Sequence, residues 1–113
     1  MHELSLADAL VRQVDEILER ENAAHVLSIT VAIGELAGVS RDAFEFAFPV
    51  AVENTRAANA VLVVEEVPAE VQCRDCGQYT RPDLPLVRCG ACGSAAVDIV
   101  KGRDFTLQSL EIE

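Results

Sequence analysis

Cys73-Arg74-Asp75-Cys76, then twelve residues, then Cys89-Gly90-Ala91-Cys92: the reading of this stretch decides the fold. A C-x2-C pair sets two thiols on one tight knuckle whose backbone amides can face the sulfurs. Gly77 and Gly93, directly after each pair, supply the permissive backbone such knuckles tend to need. Two knuckles facing each other offer four thiolates in a tetrahedron, a donor set suited to Zn2+, with residues 78–88 as a loop or hairpin between them. Four sulfur ligands leave no open position for substrate or water, so the expected role of the metal is structural. An iron-sulfur cluster or a rubredoxin-like iron would use the same donors. A thiol oxidoreductase does not explain why the pair is duplicated, and neither pair lies between a strand and a helix.

Outward from the cysteines, the chain reads as short strands and two helices. Ala7, Leu10, Val11, Val14, Ile17 and Leu18 recur at intervals of three and four, which predicts a helix from Ser5 to about Asn22. Ser5 with Asp8 fits a cap, and Asn22 can end the helix. Met1-His2-Glu3 is then a short lead-in, positioned by the helix but outside it. Leu27, Ile29, Val31 and Ile33 alternate with smaller or polar residues, predicting a strand over 26–34 that is broken by Gly34-Glu35-Leu36-Ala37-Gly38. Ser40 can cap a second helix burying Phe44, Ala47, Phe48 and Ala51, with Pro49 kinking or shortening it.

A strand over 61–67 follows, interrupted at Pro68 and resuming through Val71 into Cys73. Past the cysteines, 97–100 and 105–112 read as strands joined by the Lys101-Gly102-Arg103-Asp104 turn. The expected architecture is α+β: a small mixed three-stranded sheet with two helices, formed by residues 1–70 and 98–113, and a zinc-ribbon lobe of residues 71–97 inserted before the last strand.

Composition narrows the function. The 113 residues suit one domain's worth of chain, half of them hydrophobic, and 9 Lys+Arg against 19 Asp+Glu give a formal charge of −10. Such a charge opposes binding to phosphates or anionic lipids. The cysteine region is no exception, with Arg74, Arg81 and Arg88 against Glu70, Asp75, Asp83 and Asp98, and with Tyr79 as its only aromatic. No uncharged run approaches the roughly 18 to 20 residues of a membrane span. The start of the chain carries Asp8 and Arg12 within a dozen residues and lacks the pattern of a secretory signal. A cytoplasmic protein without nucleic-acid or membrane partners is expected.

Met1-His2-Glu3 carries chemistry of its own. A free amino terminus with histidine in second place can offer the terminal nitrogen, the deprotonated His2 backbone nitrogen and the His2 imidazole to one metal in two fused chelate rings. Glu3, through its carboxylate or backbone nitrogen, can complete the set. Such donors in a plane suit Ni2+ or Cu2+ and suit tetrahedral Zn2+ poorly. His25 reads as a surface histidine, and Glu35 and Asp42 as solvated carboxylates or auxiliary oxygen ligands. No nucleophile with a base, Gly-rich phosphate loop or H-E-x-x-H appears, so an enzyme is not expected.

On these residues the chain resembles the HypA/HybF family of hydrogenase nickel-incorporation proteins along essentially its whole length. The resemblance rests on Met1-His2-Glu3 followed by Leu4-Ser5, on Gly34-Glu35-Leu36 with Gly38-Val39, on the paired cysteines, and on Gly102-Arg103-Asp104-Phe105 with Ser109-Leu110-Glu111-Ile112-Glu113. It implies a metallochaperone with a mixed α/β nickel domain and a zinc ribbon, handing Ni2+ to the large subunit of a [NiFe]-hydrogenase with a partner GTPase of the HypB type, as a monomer or homodimer. His2 would be the principal nickel ligand, Glu3 an adjacent ligand or orienting group, and Met1 a contributor through its amine. Cys73, Cys76, Cys89 and Cys92 would hold the structural zinc. Some relatives have an acidic residue near the nickel site where Ser40 stands here, so a further carboxylate would be Asp42 or Glu35. The rival reading is a zinc-ribbon interaction adaptor that binds no nickel.

Overall fold

The computed structural model describes residues 2–113. Its elements run α1 (His2–Glu21), β1 (Val26–Gly34), α2 (Arg41–Val52), β2 (Val61–Val67), β3 (Glu70–Cys73), β4 (Tyr79–Thr80), β5 (Val97–Lys101) and β6 (Phe105–Ile112). They form two helices and two three-stranded sheets, ordered β2-β1-β6 and β4-β3-β5. The chain divides into two compact units, Met1–Ala32 with Val39–Glu65 and Thr106–Glu113, and Ile33–Gly38 with Glu66–Phe105.

The first unit is a conventional apolar core. Helix α1 buries Ala7, Leu10, Val14 and Leu18, a stripe that returns to one face every three or four residues. It packs on α2, which buries Phe44, Ala47, Phe48 and Val52, with the Phe44 and Phe48 rings 6.2 Å apart. The fourth buried position of α2 is Val52 in place of the expected Ala51, because the helix runs on past Pro49 to Val52. The ring is tolerated because Pro49 lies on the exposed side, where water can take the hydrogen bond its missing N–H would have made. Ser40 is the N-cap, its hydroxyl accepting from the Ala43 N–H at 3.3 Å.

Helix α1 begins three residues earlier than its periodicity suggested, with His2 and Glu3 inside it and Ser5 and Asp8 past its first residues. First-turn amides need no acceptor within the helix, an acidic residue there suits the helix dipole, and Leu4 extends the apolar stripe backward. Asn22 ends the helix in the left-handed conformation at φ 54°, and the Ala23 N–H reaches back to the Leu18 carbonyl at 2.9 Å. Strand β1 is the middle strand, so Val31, Ala32 and Ile33 are all buried in sequence, while Leu27 near its start is 41% exposed. Along β6, Phe105, Leu107, Leu110 and Ile112 are half-buried, the phase changing between Leu107 and Leu110.

The second unit is built on a ladder. Strand β3 pairs antiparallel with β4 (Val71 opposite Thr80) and with β5 (Val71 opposite Ile99, Cys73 opposite Val97). Strands β5 and β6 are joined by the expected short connection at 101–104, yet they belong to different sheets, so the chain passes from one sheet to the other there. The segment between them is a backbone junction. Gly102, at φ 82°, accepts the Leu36 N–H at 2.7 Å, and a Cβ there would lie 2.7 Å from the Ala69 Cα. A Cβ on Gly34 would in turn lie 2.3 Å from the Gly102 carbonyl, so the two glycines permit a contact that no side chain could share.

Candidate metal centres

The ladder of the second unit delivers four sulfurs to one point. Cys73 closes β3, and the turn after it brings the Gly77 N–H to the Cys73 carbonyl at 3.0 Å and the Gln78 carbonyl to the Cys73 N–H at 2.9 Å. The second knuckle repeats this geometry, Gly93 N–H to Cys89 carbonyl at 2.9 Å and Cys89 N–H to Ser94 carbonyl at 2.9 Å. Gly77 and Gly93 both sit at φ 77°, the left-handed conformation the sequence reserved for glycine. Within each knuckle two amides face the first sulfur: Asp75 and Cys76 donate to Cys73 Sγ at 3.3 and 3.4 Å, Ala91 and Cys92 to Cys89 Sγ at 3.4 and 3.5 Å.

The four sulfurs lie within 4.8 Å of one another, with Cys73–Cys92 and Cys76–Cys89 at 3.6 Å. That is far beyond the roughly 2.05 Å of a disulfide. It is close to the edge, about 3.8 Å, of a tetrahedron with metal–sulfur bonds of about 2.3 Å. The cluster therefore fits a tetrahedral thiophilic ion such as Zn2+, with Cys73 and Cys89 buried and Cys76 and Cys92 exposed. The amides set the electrostatics. Those of Cys92 and Ala91 pull the Cys89 thiol down to about 6, and the Cys76 amide with that of Asp75 lowers Cys73. Cys92 is pushed up to about 12: the Ser94 amide favours its thiolate, but the Cys73 sulfur and burial outweigh it. Cys76 shifts upward likewise, burial and the Cys89 and Cys73 sulfurs overcoming the Gln78 amide. In each knuckle the first thiol is thus the more acidic of the pair, and a bound cation would favour loss of the remaining protons.

Two features around the cysteines had no sequence signal. Thr80 of β4 accepts the Gly90 N–H at 2.8 Å and sets its hydroxyl 3.9 Å from Cys89 Sγ, pinning the second knuckle to the β3–β4 pair. Asp75 accepts from the Ser94 hydroxyl, joining the two knuckle tips.

At the other candidate centre, His2 is the first described helical residue, its side chain 62% exposed, and Met1 lies outside the described residues. Glu3 points inward, with a side chain only 18% exposed. Its Oε2 accepts the Ser40 N–H at 3.1 Å and lies 3.8 Å from His2 Nδ1. The Ser40 amide and Glu3's own backbone N–H hold the Glu3 carboxyl below its ordinary range. One carboxylate thereby fastens the first turn of α1 to the N-cap of α2. The position occupied by Ser40 meets Glu3 through its backbone, a contact open to any residue but proline. Of the other candidates, Glu35 is engaged elsewhere: its Oε1 accepts the Ala69 N–H at 2.6 Å. Asp42 stands exposed in the first turn of α2. His25 binds through its backbone, exchanging hydrogen bonds with Glu113 at 3.3 and 3.0 Å. Among the described residues the four cysteines are the one group of three or more metal-binding side chains brought together, so an N-terminal site would draw on backbone nitrogens as well as His2.

Comparison with known proteins bears on both centres. A family model described as hydrogenase/urease nickel incorporation, metallochaperone, hypA matches residues 1–112. The chain is 43% identical over 112 residues to a hydrogenase maturation factor HypA of a Synechococcus species, covering 99% of each. It is 41% identical over 114 residues to that of a Roseiflexus species, covering all of this chain and 93% of the other. The solution structure of the Ni metallochaperone HypA from Helicobacter pylori superposes with a TM-score of 0.73 at 28% identity, covering 97% of this chain and 96% of that one. A second HypA solution structure gives 0.75 at 29% identity, over the whole of this chain and 97% of the other. With these matches over its full length, and with its paired cysteines converging as they do, the chain belongs to the HypA family of hydrogenase-maturation nickel metallochaperones.

Proposed function

We propose that this chain carries Ni2+ at its N-terminus and delivers it to the large subunit of a [NiFe]-hydrogenase, working with a HypB-type GTPase in the cytoplasm and performing no catalysis of its own. His2 is the principal ligand through its imidazole and backbone nitrogen, Met1 contributes its amine, and Glu3 serves as ligand or as the group that orients His2. Residues 1–70 and 98–113 act as the nickel-binding domain. Residues 71–97 act as the ribbon, in which Cys73, Cys76, Cys89 and Cys92 hold a structural Zn2+.

The observation that carries the reading is the placement of His2. As the first residue of α1 it has a backbone N–H with no acceptor within the helix, beside an exposed imidazole, so metal can take both nitrogens without breaking a helical hydrogen bond. A site with so little enclosing shell loads and unloads readily, which suits a carrier. The test is metal analysis and Ni2+ titration calorimetry on untagged protein beside His2→Ala. The expected result is one zinc per chain in both and a nickel site lost in the variant, with zinc content and helicity unchanged. Equal nickel affinity in the two proteins overturns the reading, and one zinc without any specific nickel leaves a ribbon adaptor.

A further inference from the structure

Helix α2 carries apolar residues on two faces. The inner one is the core already described. The outer one runs Asp42, Phe46, Pro49 and Val50, positions spaced so that they share one side of the helix, and Glu53 follows as its C-cap. Phe46 is 81% exposed and Val50 60% exposed. An isolated exposed apolar residue is ordinary, but a phenylalanine, a proline and a valine adjoining along one helical stripe form a ridge of the kind that anchors in another protein's groove. The ridge is rigid before anything binds, because Phe44, Ala47 and Phe48 pin the opposite face of the same helix and Ser40 caps its start.

We propose that this ridge is the docking surface for the protein that takes nickel from His2, an inference that rests on the carrier reading above. Two observations select that occupant. The first is charge. Carboxylates of Asp42 and Glu53 stand at the two ends of the ridge, and Glu45, bonded to Arg41 at 2.5 Å, stands at its side. The complement is an apolar groove rimmed by Lys or Arg. A second copy would set these carboxylates against one another on a chain of charge −10, and an anionic membrane would be repelled likewise.

The second observation is position. Ser40, whose N–H is held by Glu3 next to His2, immediately precedes α2. Six residues of helix place Phe46 about 9 Å along the axis from it. A protein seated on Phe46 and Val50 therefore has its adjoining surface within reach of the nickel-bearing end of α1, so docking and metal transfer share one approach.

The experiment titrates purified, nickel-free hydrogenase large-subunit precursor with the nickel-loaded chain by calorimetry, comparing wild type with Phe46→Asp. Phe46 is outside the core, so the variant keeps its helicity and its nickel affinity; should it lose helicity, Val50→Asp is judged by the same criterion. Expected is a weakening of at least about tenfold for Phe46→Asp. Expected for Glu53→Lys is a weakening of about threefold at low salt that disappears at high salt. Equal affinity of wild type and Phe46→Asp overturns the docking face while leaving the carrier reading standing. A wild type that does not bind the precursor overturns both delivery and docking, and a wild-type dimer that Phe46→Asp converts to monomer assigns the ridge to self-association and overturns the proposal.

Discussion

The two units reach a defined structure by different means. Of the eighteen buried apolar residues among those described, thirteen lie in the unit of α1, α2 and most of β1, and five in the unit of the ribbon, two of which are Cys73 and Cys89 themselves. The first unit is held by burial of side chains such as Phe44, Leu18 and Ile29. The second has Val71, Ala69 and Ile33, far too little to offset the ordering of its chain without a further constraint. A metal held by the four converging thiols would supply that constraint, and on the proposed reading a closed site and an open one then coexist in a single small protein. On that reading the closed site would stabilise a fold, and the open one would ride on a fold whose own core is large enough to stand without metal.

The largest difference between the two units should appear when metal is withheld. Chelation, or Cys73→Ser with Cys89→Ser, should unfold β3, β4 and β5, because binding at such a site is worth roughly 10 to 16 kcal/mol and is itself the folding energy of the lobe. Helices α1 and α2 should persist. Amide NMR spectra are the measurement: ribbon resonances collapse to unfolded positions while those of 7–18 and 44–52 stay dispersed. Cooperative loss of both sets would show that the first unit also depends on the metal.

A smaller effect separates metal from backbone within the second unit. Gly102→Ala places a methyl against the Ala69 backbone at a positive φ, and should cost on the order of 2 to 4 kcal/mol even in the metal-loaded protein. Gly77→Ala is the control: it has the same kind of φ, 77°, but nothing within 4 Å of the new atom, so only about 1 to 2 kcal/mol is expected. Urea denaturation of the loaded proteins measures both, and equal losses would mean that the junction at Gly102 contributes no more than an ordinary turn.

What could be read from the chain beforehand follows the range of the interactions. The cysteine knuckles were legible because everything that shapes them is within six residues: the pair, the following glycine, and the amides between. Helix α1 and its end at Asn22 were legible for the same reason. The helix start was not, since the partner that fixes Glu3 is the Ser40 amide, 37 residues along the chain. Gly34-Glu35-Leu36 and Gly102-Arg103-Asp104 stood out as motifs of a family and read locally as a strand break and a turn. Their shared purpose emerges only when the Leu36 N–H is found on the Gly102 carbonyl, the Gly34 N–H on that of Asp104, and the Glu35 carboxylate on the Ala69 N–H. That the strands on either side of the 101–104 connection belong to different sheets was not legible either, because a short turn reads the same whether or not the strands it joins pair with each other.

The smallest effect is the most informative about the open site. The Glu3 carboxyl is held below its ordinary value of 4.5 chiefly by the Ser40 amide, so the folded protein prefers it ionised. Stability from this contact is therefore fully present above about pH 4.5 and is lost as pH falls through the lowered folded value. Glu3→Gln keeps the shape of the side chain and removes the ionisation, so its stability should decline less steeply with acid than that of wild type, the two curves converging at low pH. Hydrogen exchange at Ser40 reports the contact directly: the amide should be protected at neutral pH in wild type and exchange faster in the variant. If Glu3→Gln also preserves nickel affinity, Glu3 acts by tying His2's helix to α2; if nickel affinity falls while Ser40 stays protected, the carboxylate is itself a ligand, its second oxygen being free of the Ser40 contact.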